Sequence, residues 1–181
     1  LTAGKPRLVV LNRVDQADPE GTKRWAEHFR AKGYAVLESD AKSGVGTAKF
    51  AGAVRELLAD KLRANGCPKV IVHDLARCDM AQAVADAFRY SKLVLATTTY
   101  NADVFPFMKE FIHHLTERNY QNRTVAFIEN GSWAPMAAKV MTKMLEGSKN
   151  LTYAATTVTV RGALNAASEA QLTALADELS R

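Results

Sequence analysis

The sequence predicts an α/β fold in which a parallel sheet lies between two layers of helices. Short apolar runs alternate with amphipathic segments from one end of the chain to the other, a pattern typical of strands joined by crossover helices. The apolar runs have the length of strands and carry few charges, as expected for strands covered on both faces. We therefore predict a three-layer, doubly wound α/β/α arrangement.

Six strand–helix steps follow one another along the chain. The predicted strands are 7–11, 35–39, 70–75, 93–97, 124–128 and 155–160. The predicted helices are about 19–32, 47–65, 80–90, 105–118, 134–149 and 168–180.

Boundary residues and apolar stripes support these elements. Asp18 and Ser168 are predicted N-caps of the first and last helices, with Pro19 at the first helical position. Gly33 and Gly66 stand where the first two helices end and a left-handed residue is favoured. The second and fourth helices each carry one apolar stripe. These stripes are Phe50, Val54, Leu57, Leu58 and Leu62, and Phe107, Phe111 and Leu115.

Two sheet topologies are compatible with this order. In the first, a right-handed crossover from strand 7–11 to strand 35–39 places strand 7–11 between strands 35–39 and 70–75. The result is one six-stranded sheet with the order 3-1-2-4-5-6. In the alternative, the first strand–helix unit lies outside an unchanged five-stranded core. In both cases we expect the 181 residues to form a single domain.

Composition excludes several functional classes. The apolar runs are too short for a membrane span, and the polar N-terminus does not resemble a signal peptide. Cys67 and Cys78 are too few for a disulfide framework, so we expect a cytoplasmic protein. The net charge of +5 is scattered rather than clustered, which indicates a solvated surface and no nucleic-acid partner.

Polar and aromatic residues follow two of the predicted strands. Open parallel sheets bind ligands at the carboxyl ends of their strands, and two such loops on adjacent strands can enclose a flat polar ring. The first loop contains Thr97, Thr98, Thr99, Tyr100 and Asn101, and the second contains Asn130, Gly131, Ser132 and Trp133.

From about residue 47 onward the chain resembles the flavodoxin domain of A-type flavoproteins. The resemblance rests on segments 72–77 (VHDLAR), 97–101 (TTTYN), 105–106 (FP) and 119–135 (NYQNRTVAFIENGSWAP). It implies a flavodoxin-like fold that binds FMN, with the two loops flanking the isoalloxazine ring. Hydroxyls of 97–99 would meet the phosphate, ribityl chain or pyrimidine edge. Tyr100 and Trp133 would cover the ring faces, and Asn101, Asn130 and Gly131 would offer hydrogen bonds to the ring, with Ser132 beside them.

Residues 1 to about 46 resemble a different family, the circularly permuted GTPases of ribosome assembly. Segment 12–15 (NRVD) is similar to the guanine-reading N-K-x-D sequence, with Arg13 in place of the usual Lys. Segment 25–29 (WAEHF) is similar to the helix that follows. Segment 39–46 (SDAKSGVG) resembles the S-A-K loop that packs on guanine, with Asp40 inserted. The phosphate-binding pattern G-x-x-x-x-G-K-[ST] is absent from the sequence, so we expect no residual GTP binding.

The two resemblances together indicate a chimera joined near Thr47, engineered rather than fused in nature. At this junction a flavodoxin would carry the pattern [ST]-x-[ST]-G-x-[ST] around the FMN phosphate. Here Thr47 matches the pattern, but Lys42 and Gly44 replace its other two hydroxyl residues. The loop still contains several glycines and precedes a helix, an arrangement that favours phosphate binding through N–H groups. We therefore predict phosphate contacts from Ser43, Gly44, Val45, Gly46 and Thr47.

Three functional interpretations stay open at this point. The first is an FMN-binding domain that transfers electrons through flavin and depends on partners for turnover. The second is a designed scaffold without a ligand, and the third is a natural accessory domain that binds a ribosomal or redox partner. The dispersed histidines and the two cysteines form no pattern typical of a catalytic or metal site, so nothing identifies a self-sufficient enzyme.

Overall fold

The computed structural model describes residues 8–12, 18–32, 35–39, 47–131, 134–161 and 164–181. The chain divides into two compact units, Leu1–Val54 and Arg55–Arg181, and each is described by itself. The expectation of a single domain with a junction near residue 47 stays a prediction.

The first unit contains a parallel strand–helix–strand crossover. Strand β1 (Leu8–Asn12) pairs in parallel with β2 (Ala35–Ser39), and helix α1 (Pro19–Ala31) connects them. As predicted, Asp18 caps α1, because its Oδ2 accepts a hydrogen bond of 2.8 Å from the Gly21 amide. Gly33 lies outside the described residues.

Helix α2 (Thr47–Ala64) begins in the first unit and ends in the second. Gly66 follows it at φ +86°, the left-handed conformation predicted for a residue that ends a helix. The further helices are α3 (Met80–Arg89), α4 (Pro106–Thr116), α5 (Ala137–Met144) and α6 (Ala166–Leu179). The further strands are β3 (Lys92–Tyr100), β4 (Asp103–Val104), β5 (Arg123–Asn130), β6 (Leu151–Tyr153) and β7 (Val158–Val160).

Strand β5 is the centre of the second unit's sheet. The sheet has the order β4-β3-β5-β6, and β7 pairs with β5 beyond the end of β6. All pairs are parallel except the short antiparallel pair β3–β4. Val125 and Phe127 point from β5 into a buried cluster with residues of α3, α4 and α5, and Ala126 and Ile128 are buried on the opposite face. Since α6 packs beside β7, helices lie against the sheet as predicted.

The expectation of one six-stranded sheet is wrong for the described residues, which form a two-stranded and a five-stranded sheet. The predicted strand 70–75 is irregular in the structure, and Ile71 and Val72 are 44% and 41% exposed. A strand exists through the ladder bonds it makes with a neighbour. In the described chain the partner of β2 is β1, and segment 70–75 takes part in none of the ladders.

Of the predicted strand 155–160, only Val158–Val160 is a strand, β7, and the separate strand β6 (Leu151–Tyr153) lies before the predicted range. Between them, the Ala155 and Thr156 amides donate to the Glu178 carboxylate of α6 at 2.6 and 3.0 Å instead of joining the sheet. These hydrogen bonds, the Ala155 amide first, lower the pKa of Glu178. The start of α6 also differs from the prediction. Asn165 is the N-cap, and Ser168 is its partner three residues later in a reciprocal capping box.

None of the helices in the described part of the chain combines the length and the apolar character that a membrane span requires.

His73, in segment 72–77 on which part of the flavodoxin resemblance rests, joins a part-buried network around Asp86 of α3. His73 Nε2 lies 2.9 Å from Asp86 Oδ2, Gln82 donates to the same oxygen at 3.2 Å, and Arg89 lies 3.1 Å from Oδ1. These contacts, the hydrogen bond with His73 first, lower the pKa of Asp86. The network therefore joins the irregular segment to α3.

The Asp86 network predicts a specific acid sensitivity. The pKa of Asp86 is lower in the folded state than in the unfolded state, where it is about 3.9. The ionised carboxylate therefore contributes its full stabilisation above about pH 5. This stabilisation is lost as the pH falls through the unfolded-state pKa toward the folded-state pKa. In urea unfolding, the gap between the parent and Asp86→Asn should be largest near neutral pH and should shrink under acid. Asp103 and Glu178 also have lowered pKa values, but they are present in both proteins. Parallel stability profiles would contradict the assignment to Asp86.

Tyr120 gives a second stability prediction. Its side chain is fully buried against the edge of Phe88, and its hydroxyl has no hydrogen-bond partner among the described residues. Burial raises the pKa of Tyr120 to about 12. Tyr120→Phe should leave the free energy of unfolding unchanged or raise it by up to about 1 kcal/mol, because an unpaired hydroxyl is removed while the ring remains. Leu115→Ala, at a fully buried position, should cost about 2–5 kcal/mol. A clear loss in Tyr120→Phe would show that the hydroxyl is hydrogen-bonded.

Candidate functional site

The carboxyl ends of β3 and β5 lie side by side. In the parallel register, Thr97 is opposite Glu129 and Thr98 is opposite Asn130. The sheet thus brings residues from both predicted loops to one edge, where a doubly wound fold binds its ligands.

The first predicted loop is mostly strand. β3 continues to Tyr100, because Thr99 and Tyr100 pair with Val104 and Asp103 of β4. Side chains alternate along a strand, so the three threonines do not act as one group. Thr97 and Thr99 are half-buried, whereas Thr98 and Tyr100 are exposed on the other face.

Thr98 is the threonine directed across the two strand ends. Its hydroxyl donates to the main-chain oxygens of Asn130 at 3.5 Å and of Thr99 at 3.3 Å. Both bonds are long. A ligand acceptor at this edge can therefore compete for the hydroxyl proton at small cost.

Thr99 is already engaged in structure. Its Oγ1 accepts hydrogen bonds from the amides of Met136 at 2.9 Å and Ala137 at 3.2 Å, at the start of α5. A hydroxyl has two acceptor lone pairs and one proton. Since both lone pairs are used, Thr99 can contact a ligand only as a donor.

Glu129 is a polar residue of this edge that the sequence analysis missed. It is buried, with 8% of its surface exposed. Its Oε2 accepts from the Ala138 amide at 3.0 Å, and its Oε1 accepts from the Thr159 hydroxyl at 3.1 Å. A carboxylate at the end of an apolar strand, just before a helix, was the available signal, because helix N-termini favour negative charge.

A tight turn joins β3 to β4. Asn101 and Ala102 have φ values of +53° and +58°, as the two central residues of a type I′ hairpin require. Asp103 stabilises the turn, because it accepts from the Val104 amide at 2.8 Å and from Lys109 Nζ at 2.5 Å. These bonds, that of Lys109 first, lower the pKa of Asp103.

Tyr100 presents an aromatic surface at the same edge. It is 54% exposed, and its ring meets that of Phe105 edge to face with centroids 5.5 Å apart. Phe105 in turn contacts Phe107 at 5.9 Å. One side of the Tyr100 ring is thus supported, while much of the residue remains open for stacking.

Gly131 allows the chain to turn closely after β5. A Cβ added there would lie 3.0 Å from Pro135 Cα, so a side chain would displace that backbone. The Gly131 amide donates to the Val160 oxygen at 3.2 Å, which ties the end of β5 to β7. Asn130, the last residue of β5, is half-buried.

The other predicted site residues have no described position at this edge. Ser43, Gly44, Val45, Gly46, Ser132 and Trp133 lie outside the described residues. Thr47 is the first residue of α2. In the part of the chain that the structure describes, no three His, Cys, Asp or Glu side chains form a group suited to a metal ion.

A groove of about 540 Å³ adjoins the hairpin and also escaped the sequence analysis. Tyr100 and Asn101 line one side, and α4 lines the other with Lys109, His113 and His114. These α4 residues were not candidates because their helical spacing indicates an ordinary solvated face.

The comparisons with known proteins give different results for sequence and for structure. No family model matches the chain. Ribosome biogenesis GTPase A from Priestia megaterium is 38% identical over 72 residues, which are 38% of this chain and 25% of that protein. The protein of the same name from Bacillus cereus is 42% identical over 57 residues, 32% of this chain and 19% of that protein. The chain thus spans a quarter or less of the length of these relatives.

The similar solved structures are of a different kind. Rubredoxin:oxygen oxidoreductase from Desulfovibrio gigas superposes with a TM-score of 0.67 at 20% identity, over 73% of this chain and 32% of that chain. Flavodoxin 1 from Bacillus cereus gives 0.62 at 9% identity, and an archaeal flavodoxin gives 0.61 at 10% identity, each over 96% of both chains. The flavodoxin-like α/β fold predicted from the sequence is confirmed. The predicted pair of resemblances is also confirmed, and a GTPase-like part within a flavodoxin-like fold fits a chimera.

The hairpin at this edge can be tested by its backbone conformation. Ala102 adopts a left-handed φ, which costs an L-residue about 1–2 kcal/mol, whereas glycine adopts it freely. After the greater unfolded-state entropy of glycine is subtracted, Ala102→Gly should raise the free energy of unfolding by about 0.5–1 kcal/mol. Ala85→Gly, at an exposed position inside α3, should lower it by about 1 kcal/mol. Urea unfolding of both variants checks this, and equal losses would exclude the left-handed turn.

Proposed function

We propose that this chain is a flavodoxin-like domain that binds FMN and carries electrons through the flavin. The observation that carries the proposal is the parallel alignment of β3 and β5, which sets Thr98 and Tyr100 beside Asn130 at one sheet edge. The flavodoxin-like fold supports it.

The described residues at this edge fit the chemistry of a flavin ring. A flat aromatic ring with polar edges needs a stacking surface together with hydrogen-bonding groups. Tyr100 offers the surface, and its contact with Phe105 supports the ring. Thr98 offers a hydroxyl donor on the same face as Tyr100, while Asn130 and Gly131, where the second loop begins, offer amide and main-chain groups. Bound FMN would supply the electron-transfer chemistry, and these residues would bind it, orient it and set its potential.

The phosphate half of the proposed site is Ser43, Gly44, Val45, Gly46 and Thr47, with N–H groups at the start of α2 as the main donors. Ser132 and Trp133 complete the proposed ring half. The proposal includes an engineered origin, a cytoplasmic location and no GTP binding. It leaves turnover to a separate electron donor and acceptor.

A second candidate is a designed scaffold without a ligand. The observation that favours it is the altered phosphate loop, in which Lys42 and Gly44 replace two hydroxyl residues of the flavodoxin pattern. Phosphate contacts supply much of the attraction between a nucleotide and such a loop. Loss of those contacts would leave a folded protein with only the ring half of a site.

A flavin titration separates the two candidates. If the proposed function is correct, the purified protein should quench flavin fluorescence saturably, at about one FMN per chain, because the ring stacks on Tyr100. Riboflavin, which lacks the phosphate, should bind more weakly if loop 42–47 holds the phosphate, and equally well if only the ring half binds. Absence of quenching by both flavins, in a protein that unfolds cooperatively, would favour the scaffold.

A pair of tyrosine variants tests the position of the ring within the same titration. Tyr100→Ala should weaken FMN binding by about 1–3 kcal/mol, the usual value for an aromatic stacking platform. Tyr153→Ala removes a tyrosine that is also partly exposed, but it lies on β6, away from the β3 edge, and should leave the affinity unchanged. An equal change of FMN affinity in the two variants would show that Tyr100 does not stack on the ring.

A further inference from the structure

A set of side chains that we call the α5 clasp fixes the start of α5 to three strands. It consists of Thr99 of β3, Glu129 of β5 and Thr159 of β7, and it holds the amides of Met136, Ala137 and Ala138. The first N–H groups of a helix have no partner within the helix. Here Thr99 satisfies two of them and Glu129 satisfies the next.

The clasp anchors both ends of the second predicted loop. Before the loop, Glu129 lies directly opposite Thr97 in the sheet, and the Gly131 amide is bonded to Val160. After the loop, the same Glu129 carboxylate holds the Ala138 amide. The core sets the register of Asn130 against Thr98, and a few hydrogen bonds, most of them part-buried, hold the chain that enters and leaves the loop.

Glu129 is the centre of the clasp because it is the member bonded to two other elements. One oxygen meets α5 and the other meets β7. A buried carboxylate is stable only with such partners. The Ala138 amide depends on it in turn, because loss of the Glu129 side chain would leave that amide without its acceptor. Glutamine would preserve the arrangement, since its oxygen can accept from Ala138 and its NH₂ group can donate to the Thr159 hydroxyl.

We infer that Glu129 is a positioning residue for the flavin site, one that acts through hydrogen bonds rather than through its charge and does not contact the ligand. This inference rests on the proposed FMN binding. It assigns to a buried glutamate the task of holding Asn130 and Gly131, at the end of β5, in place so that the groups at the ends of β3 and β5 meet one ring.

The test compares variants of the full chain by FMN titration and by amide hydrogen exchange. Glu129→Met keeps the approximate size and removes both bonds. It should weaken FMN binding about tenfold, the lower end of the losses seen when a residue that orients a metal ligand is removed. The Ala138 amide should exchange faster in the same variant. Glu129→Gln should remain within about twofold of the parent in affinity and should keep Ala138 protected.

Glu178 provides a matched control. Its carboxylate also accepts from two backbone amides, those of Ala155 and Thr156, but these lie between β6 and β7. Glu178→Met should therefore lower stability without changing FMN affinity. If Glu129→Met does not fold, Thr159→Val removes one bond of the clasp and should weaken FMN binding about threefold, whereas Thr159→Ser should not.

The outcomes separate this inference from the proposed function. If the parent binds FMN and Glu129→Met binds equally well, the inference is overturned and FMN binding stands. A loss in Glu129→Gln as large as that in Glu129→Met also overturns it, because charge would then be the property that matters. If the parent itself binds no FMN, the proposed function fails and the positioning role fails with it. Faster Ala138 exchange in Glu129→Met would then report only on the clasp.

Discussion

The parallel pairing of β3 with β5 is the constraint on which the rest of the second unit depends. It extends from Lys92 opposite Thr124 to Thr98 opposite Asn130. Because both strands run in the same direction, their carboxyl ends meet at one edge, and a shift of one residue would turn Thr98 and Tyr100 to the opposite face. β5 is buried on both faces, so the hydrophobic core fixes this register from both sides. The candidate site is thus a consequence of core packing rather than of loop conformation.

Most polar groups at this edge already make hydrogen bonds within the fold. The Thr99 lone pairs and the Glu129 carboxylate satisfy the first amides of α5, which would otherwise attract an anion. The groups that α5 does not use remain open to a ligand. They are the Thr98 hydroxyl, the exposed side of the Tyr100 ring, and the polar groups of Asn130 and Gly131. That remainder suits a neutral ring better than a phosphate. This agrees with a phosphate placed at another helix, which the resemblance assigns to the start of α2.

Elements with their own periodic pattern were predictable from the sequence, whereas features set by distant partners were not. The α4 stripe and the β5 run predicted their elements to within a few residues. Segment 70–75 has the composition of a strand but has no neighbour in the described ladders. The Asn101–Ala102 turn was missed because alanine rarely adopts a left-handed φ. Both strand ends of the site were predictable from their apolar runs. The hydrogen bonds of Thr99 and Glu129 to the α5 amides were not, because they depend on where α5 begins, and no local sequence pattern indicates that position.

The hydrophobic core also bears on how a chimera of this kind holds together. The buried cluster under β3 and β5 draws all its members from residues 83–145, within the second unit. The clasp residues and their amide partners lie in the same unit. The geometry of the β3–β5 edge therefore rests on contacts internal to the second unit. The proposed phosphate loop, in contrast, belongs to the first unit. In the proposed chimera, the ring half of the site would depend on packing within the second unit, and the phosphate half would depend on the segment that precedes it.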